Sequence, residues 1–338
     1  MIKRQGKYTL RFSPCPQIIG FASVAGEKES QGPLGKEFHK IIYDPRAGEK
    51  TFEQGESRLQ QEALSMALEN AKLSWESPDF VFAGDLLNQC VSSSFALEAF
   101  GIPYLGQYGA CSTMAQSLIM SSVFVSSEAA RLTAAVPSSH FASAERQYRF
   151  PLEYGAIRTP TAQRTVTGSG ACIVSLNQKE KHPYIEAATV GRIVDPSVSD
   201  ANNMGAAMAA AAADTLLRYF EDTGERVEDF DGIFTGDLGY VGSEILLEVL
   251  SSSKLFIEKV HKDCGKMIFA RDEQDVHAGG SGCGCAASVL CAHILPRLSS
   301  GEFSKILFMA TGALMSPTSS QQGLSIPSVA HLVKICSP

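Results

Sequence analysis

The chain has 338 residues, of which 44% are hydrophobic and 19% charged, and its formal net charge is −7. This composition predicts a folded globular protein with a large core. The acidic balance argues against binding of nucleic acid, because attraction to phosphates needs a basic face. No apolar run approaches the roughly 20 residues of a membrane span. The nine scattered cysteines indicate reduced thiols in a cytosol-like compartment.

Strands and helices alternate in the first half of the predicted structure. A polar loop is expected at 26–36 and irregular surface at 40–57. Apolar residues at helical spacing predict a helix over 59–71. The other predicted elements of this half are strands within 8–25 and at 79–83, 102–108, 131–136 and 167–176, and a helix at 94–100.

A cysteine lies at the turn after the strand at 102–108. Cys111 stands within Gly-Ala-Cys-Ser-Thr at 109–113, and Ser112 or Thr113 is placed to cap a following helix. A helix N-terminus offers unpaired N–H groups and a positive dipole, which favour a thiolate or a bound anion. The alternative interpretation is a buried, inert cysteine.

The second half repeats the first. The frame Asp-x-x-Phe-x-Gly-Asp-Leu occurs at 79–86 and again at 231–238, each time before a predicted helix. The other matches, in the same order, are an Ala-rich helix at 205–219, the turn Gly-Cys-Gly-Cys at 282–285 and the strand at 305–310. Four matches in one order indicate duplication.

Duplication predicts two βα halves, 1–176 and 177–338, related by a pseudo-dyad in an α/β fold. Each half then brings one Gly-Asp strand end, at Asp85 or Asp237, to the carboxyl side of its strands, where α/β sheets place their ligands. The Cys111 turn and the turn at Gly282 and Cys283 are expected to meet there.

A combination of short motifs is characteristic of this chain; the segments are 82–89, 109–113, 138–140, 144–147, 279–283 and 310–314. Together they resemble the stage V sporulation protein AD family of spore-forming bacteria, within the thiolase superfamily. The likeness runs from about residue 18 to 335 and includes Asn88, which the resemblance places among the ligand-binding residues.

This resemblance implies a five-layered αβαβα thiolase-like fold and a homodimer. It implies a non-enzymatic role, the binding of dipicolinic acid or its calcium complex for uptake into the developing spore. It also implies membrane-associated stage V sporulation partners, and hence a soluble protein held peripherally at the spore inner membrane.

Condensing relatives in this superfamily combine a cysteine nucleophile with two His or Asn partners from the second half. Cys111 matches the nucleophile, but Asp237 and Cys283 stand in the motifs that should supply the partners. Neither residue is a neutral N–H donor for an oxyanion, so the resemblance predicts no efficient catalysis. The alternative is an acyltransferase that uses Cys111 with His140 or His277 as base. Neither a dinucleotide fingerprint nor a P-loop is present, so no cofactor is predicted.

Dipicolinate is flat and doubly negative, so it suits arginine forks and helix N-terminal amides. Arg146 and Arg149 follow His140 closely and are candidates to bind it, with His140 as wall or hydrogen-bond donor. Asp85 and Asp237 are candidates for calcium or for a cation in the pocket, or alternatively caps of the next turn. No protein-bound metal site is predicted. Ser112, Cys111, Gly282 and Cys283 complete the predicted site.

Overall fold

The computed structural model describes residues 1–148, 158–176 and 180–338. The strands are β1 Ile2–Gln5, β2 Thr9–Phe12, β3 Gln17–Gly26, β4 Lys40–Ile42, β5 Phe80–Gly84, β6 Tyr104–Gly106, β7 Leu132–Ser139, β8 Arg164–Thr165, β9 Gly168–Ser175, β10 Tyr184–Thr189, β11 Gly232–Thr235, β12 His261–Asp263, β13 Gly280–Ser281, β14 Lys305–Ala313 and β15 Ser328–Cys336. The helices are α1 Glu27–Ser30, α2 Phe52–Asn70, α3 Val91–Glu98, α4 Thr113–Ser126, α5 Phe141–Tyr148, α6 Met204–Thr223, α7 Gly239–Ser252, α8 Cys264–Met267, α9 Cys283–Val289, α10 Leu295–Ser299 and α11 Pro317–Gln321. A π-helical turn, Leu290–Ile294, joins α9 to α10.

The main sheet contains the same five-stranded pattern twice. Its order is β12-β11-β14-β15-β10-β3-β9-β7-β5-β6. Read outward from the centre, β3-β9-β7-β5-β6 and β10-β15-β14-β11-β12 both make two antiparallel pairings and then two parallel ones. A pairing of Gln17 with Tyr184 links the two sets. The division at residues 176 and 177 stays a prediction, because 177–179 lie outside the described part.

The repeated aspartate frame has the same structural task in both halves. The side chain of Asp79 accepts a hydrogen bond from the backbone N–H of Arg131 at 2.7 Å, just before β7. In the second half Asp231 accepts one from the N–H of Ser304 at 2.6 Å, just before β14. Each carboxylate therefore ties the start of one parallel strand to its neighbour, which explains why this residue recurs in the repeat.

Three buried clusters define five layers. Helices α2 and α3 pack on the outer face of the first strand set, and α6 and α7 pack on the outer face of the second. Between the two sets lie α4 and α9, whose side chains form the largest cluster together with both groups of strands. The order is therefore helix, sheet, helix, sheet, helix, and the predicted thiolase-like α/β fold is confirmed.

Most predicted elements exist, but some boundaries are wrong. The segment 40–57 was expected to be irregular, yet it holds β4 and the first turn of α2, where the Thr51 side chain accepts a hydrogen bond from the N–H of Gln54. The polar loop at 26–36 contains the short helix α1. The final strand, β15, lies between β10 and β14 in the second strand set of the main sheet. The sequence does not predict a strand there.

Candidate functional site

The Cys111 turn joins β6 to α4 through a single 3₁₀ turn, Ala110–Ser112. The hydroxyl of Ser112 donates to the Gly109 carbonyl at 2.7 Å, and that of Thr113 donates to the Ala110 carbonyl at 2.6 Å. The prediction that one of these hydroxyls accepts from the helix N–H groups is therefore wrong. Both instead hold the turn in shape, and Cys111 lies buried at its centre.

The second-half turn meets the first at this cysteine. The Cys111 Sγ lies 3.9 Å from the hydroxyl oxygen of Ser281, which ends β13 just before α9. Gly282 follows with φ = +110°, a conformation that only glycine adopts easily, and a Cβ there would lie 2.6 Å from the Ser139 hydroxyl oxygen. The sequence prediction that these two turns share one region thus agrees with the structure.

A buried carboxylate lies behind the thiol. Asp237 accepts hydrogen bonds from the Ser281 hydroxyl at 3.0 Å, from the Gly282 N–H at 2.8 Å and from the Thr311 hydroxyl at 2.9 Å. Burial raises the pKa of Asp237, but these donors act in the opposite direction and favour its ionised form. Asp237 therefore joins β11, β13 and β14 beneath the cysteine.

This environment suppresses the thiolate form of Cys111. Burial, and then the negative charge of Asp237, raise the pKa of the Cys111 thiol well above its usual value. Desolvation and the neighbouring carboxylate act against the thiolate that the N-terminus of α4 would favour, which supports the alternative interpretation of a buried, inert cysteine. At neutral pH Cys111 is a neutral thiol.

A cavity opens in front of Cys111. It holds about 450 Å³ of empty space, part of it open to solvent. Its wall is mostly apolar, with hydroxyl groups and one carboxylate among the remaining side chains. The lining residues are Leu86, Ala110, Cys111, Ala144, Glu145, Tyr148, Thr165, Met204, Ser281, Ala313 and Met315.

Glu145 is the acidic residue of this wall. Its side chain is fully buried, accepts hydrogen bonds from the N–H and hydroxyl of Thr165 at 3.0 Å, and lies 3.3 Å from the Arg158 guanidinium. The positive charge of Arg158 compensates the negative charge of the Glu145 carboxylate. Glu145 therefore fixes α5 against β8 while it faces the cavity.

Asp85, the first-half counterpart of Asp237, points away from the cavity. It accepts from the N–H of Leu87 at 2.9 Å and from the N–H and hydroxyl of Ser93 at 2.7 Å, so it caps the turn before α3. A second buried acid, Glu56, accepts from the hydroxyls of Ser138 and Ser143 at 2.9 Å. Burial and the charge of Asp85 raise the pKa of Glu56 to about 8.

Other predicted site residues lie outside the wall of the Cys111 cavity. His140 is buried, and its Nε2 lies 2.7 Å from the Pro45 carbonyl oxygen. Burial lowers the pKa of His140, which favours its neutral form, and this contact gives the side chain a structural role. Arg146 is exposed and pairs with Glu53. Asn88 accepts at 3.3 Å from the hydroxyl of Tyr108.

Three predicted residues remain: Cys283, Arg149 and His277. Cys283 is buried, and its thiol donates to the Ser138 carbonyl at 2.8 Å. Arg149 lies outside the described residues. His277, proposed as an alternative base, pairs with Asp275 at 2.9 Å.

The sequence reasoning missed several side chains of the site. Glu145 and Tyr148 line the cavity but are not among the predicted site residues, because the sequence does not predict α5. Glu56 carries a signal that could have found it: it falls on the buried face of α2 together with Leu59 and Gln60. A carboxyl group on an apolar helix face indicates a buried polar network.

The architecture is that of the thiolase-like synthases. It superposes on 3-oxoacyl-[acyl-carrier-protein] synthase III from Aquifex aeolicus VF5 with a TM-score of 0.58 and 13% identity, covering 95% of this chain and 99% of the other. It superposes on a variant of OleA from Xanthomonas campestris with a TM-score of 0.61 and 12% identity, covering 95% of this chain and 98% of the other. At such identities the likeness establishes the fold.

A closer relationship comes from the sequence. Residues 6–336 match the family model for stage V sporulation protein AD. The chain is 41% identical over 330 residues to the stage V sporulation protein AD of Bacillus subtilis (strain 168), covering 98% of this chain and 97% of that protein. It belongs to the stage V sporulation protein AD family.

Proposed function

We propose that this sporulation protein binds dipicolinic acid, or its calcium complex, without catalysis and takes part in its uptake into the developing spore. The observation that carries the proposal is a cavity beside Cys111, with Asp237 and Cys283 in the motifs where condensing relatives are expected to have His or Asn. The family resemblance suggests the ligand, and the cavity is the site that we propose for it. The proposed partners are the membrane-associated stage V sporulation proteins.

The local chemistry supports binding without acyl transfer. A condensing enzyme needs a reactive thiolate and N–H donors directed at a developing oxyanion. Here Asp237, an acceptor, lies behind Cys111, and the Cys283 thiol donates to a backbone carbonyl. Losing one oxyanion donor alone costs about 10²–10³ in rate.

The wall of the cavity suits a small, flat ligand. Met204, Met315 and Leu86 offer apolar contacts. The hydroxyls of Tyr148 and Thr165 already donate to the Leu86 carbonyl and to Glu145. The charge of Glu145 is already compensated by Arg158. The two negative charges of dipicolinate would be neutralised by calcium or by arginine side chains. Arg146 and Arg149 stay the predicted candidates for this role.

Calorimetry with dipicolinate, with and without Ca²⁺, tests this proposal. We expect saturable heat for the wild type and at least about tenfold weaker binding for Met315→Trp, because the larger ring fills the cavity mouth. Ser94→Trp, on the exposed face of α3, is the matched control and should bind as the wild type does. Absence of heat at millimolar dipicolinate would contradict the proposal, and so would a stable adduct on Cys111 after incubation with acyl-CoA.

We also propose that two copies of the chain pair along β6. This strand ends the sheet order of the described residues, so its outer edge has unpaired backbone groups. Leu105 in β6 and Tyr108 just after it are 41% and 51% exposed, and Phe95, on the helix α3 that contacts β6, is 66% exposed. An antiparallel pairing of β6 with its own copy covers both features.

Light scattering coupled to size exclusion checks the dimer. We expect a dimer for the wild type and a monomer for Leu105→Asp at micromolar concentration, because the new charge would be buried against its own copy. Leu324→Asp, which changes another exposed leucine (54%) far along the chain, is the control. A monomeric wild type would contradict this pairing.

Within the described residues no helix has the length and apolar character needed to cross a membrane.

A further inference from the structure

A second cavity shares no lining residue with the Cys111 cavity. It is bounded by α1, by the segment after β4 and by the start of α5, and we call it the α1–α5 cavity. It holds about 540 Å³ of empty space, part of it open to solvent. Unlike the Cys111 cavity, it has two cationic side chains in its wall, Lys28 and Arg164.

Arg164 is partly buried without a carboxylate in direct contact. Its guanidinium lies over the ring of Phe141, with the carbon at the centre of the guanidinium 3.7 Å from the ring centroid. Its Nε is shielded from solvent and has no hydrogen-bond partner. Among the described residues no acidic side chain forms an ion pair with it. An incompletely paired guanidinium is costly to bury, so this geometry favours an anion beside it.

Lys28 brings a second positive charge to the same wall. Burial, and then repulsion by Arg164, lower the pKa of Lys28. In the described part of the chain its ammonium group also has no acidic partner within ion-pair distance. Two cations that repel each other across a cavity are both stabilised when an anion binds between them.

The acidic neighbours compensate these charges only in part. Glu29 accepts a hydrogen bond from the N–H of Thr167 at 3.0 Å, and burial raises its pKa to about 7, which favours its neutral form. Glu27 is exposed. Asp275 acts on the charges of both cations and Glu145 on that of Arg164, each from beyond ion-pair distance. Among the described residues, Arg164 and Lys28 therefore have no carboxylate in direct contact.

We propose that the α1–α5 cavity is a binding site for a small carboxylate anion. The guanidinium of Arg164 and the ammonium of Lys28 are its charged donors, and the Arg164–Phe141 stack is a flat wall against which a planar carboxylate lies. This site is separate from the Cys111 cavity and goes beyond the function proposed above.

Calorimetric titration with malonate tests the site in the full chain. We expect millimolar or tighter binding, weakened at least about tenfold by Arg164→Gln and at least about threefold by Lys28→Gln, since each removes a charge-assisted contact. Lys28→Gln serves if Arg164→Gln fails to fold. Arg131→Gln is the matched control, because that side chain is 95% exposed elsewhere on the surface. Met315→Trp, which blocks the other cavity, should leave malonate binding unchanged.

Three outcomes would overturn the proposal. The first is the absence of heat when malonate is added to the wild type. The second is wild-type affinity for malonate in Lys28→Gln and, if that variant folds, in Arg164→Gln as well. The third is tighter binding of inorganic phosphate than of malonate, which would indicate another class of anion. Loss of malonate binding in Met315→Trp alone would assign the anion to the Cys111 cavity. Failure of dipicolinate binding with intact malonate binding would contradict only the function proposed above.

Discussion

The free energy of unfolding should fall by about 3 kcal/mol between pH 6.5 and pH 8. Three buried carboxyl groups cause this loss. Burial raises the pKa of Glu29 to about 7, that of Glu56 to about 8 and that of Asp263 to about 7. In the unfolded chain the same groups titrate near pH 4.

The direction follows from proton counts. Between their unfolded and folded pKa values, these groups hold protons in the folded protein and not in the unfolded chain, so stability falls as pH rises. Two buried histidines act in the opposite sense: burial lowers the pKa of His261 and of His331 to about 4. An unfolded histidine is still about half protonated at pH 6.5, so each of the two offsets about 0.4 kcal/mol of the loss up to pH 8. The three carboxyl groups outweigh this offset in the window from pH 6.5 to pH 8.

Urea unfolding at pH 6.5 and pH 8 measures this difference. Glu56→Gln keeps the shape of the protonated side chain, so about half of the pH-dependent loss should disappear. Glu53→Gln is the control, because Glu53 lies one turn earlier on α2, pairs with Arg146 at the surface and has a lowered pKa. Equal stability of the wild type at the two pH values would contradict this prediction. A pH-dependent loss of stability in Glu56→Gln as large as that in the wild type would also contradict it.

The repeat made the layout of the site predictable. Because 79–86 and 231–238 share one frame, the sequence predicts two equivalent strand ends, and the structure gives Asp79 and Asp231 the same task. The meeting of the Cys111 turn with the turn at Gly282 follows from the same symmetry. These are relations of order and spacing, which a sequence records directly.

The electrostatics of the site were not predictable in this way. The N-terminal position of Cys111 on α4 suggests a lowered pKa, whereas the structure gives a raised one. The deciding facts are burial and the approach of Asp237 from β11, more than a hundred positions along the chain. Asp85 has the same place in the repeat but turns toward Ser93. Local sequence does not distinguish these two aspartates, because tertiary packing decides which donors each one meets.

If Asp237 suppresses the thiolate, Asp237→Asn should increase the rate of Cys111 alkylation by iodoacetamide at pH 8 at least about tenfold. The substitution removes the negative charge behind the thiol and keeps a side chain of the same shape. Its amide oxygen can still accept from the Gly282 N–H and the Ser281 hydroxyl, which now bond to Asp237. The rate is measured by mass spectrometry of the peptide that contains Cys111.

Asp85→Asn is the matched control, because Asp85 is the repeat counterpart of Asp237 but accepts hydrogen bonds from Leu87 and Ser93. Its alkylation rate at Cys111 should equal that of the wild type. Cys172, buried in β9, reports within the same samples on any general loosening of the fold. Fast alkylation of Cys111 in the wild type, or equal rates in Asp237→Asn and the wild type, would show that the carboxylate does not hold the thiol neutral. The structural case against acyl transfer would then lose its main support, since a reactive cysteine would face the cavity.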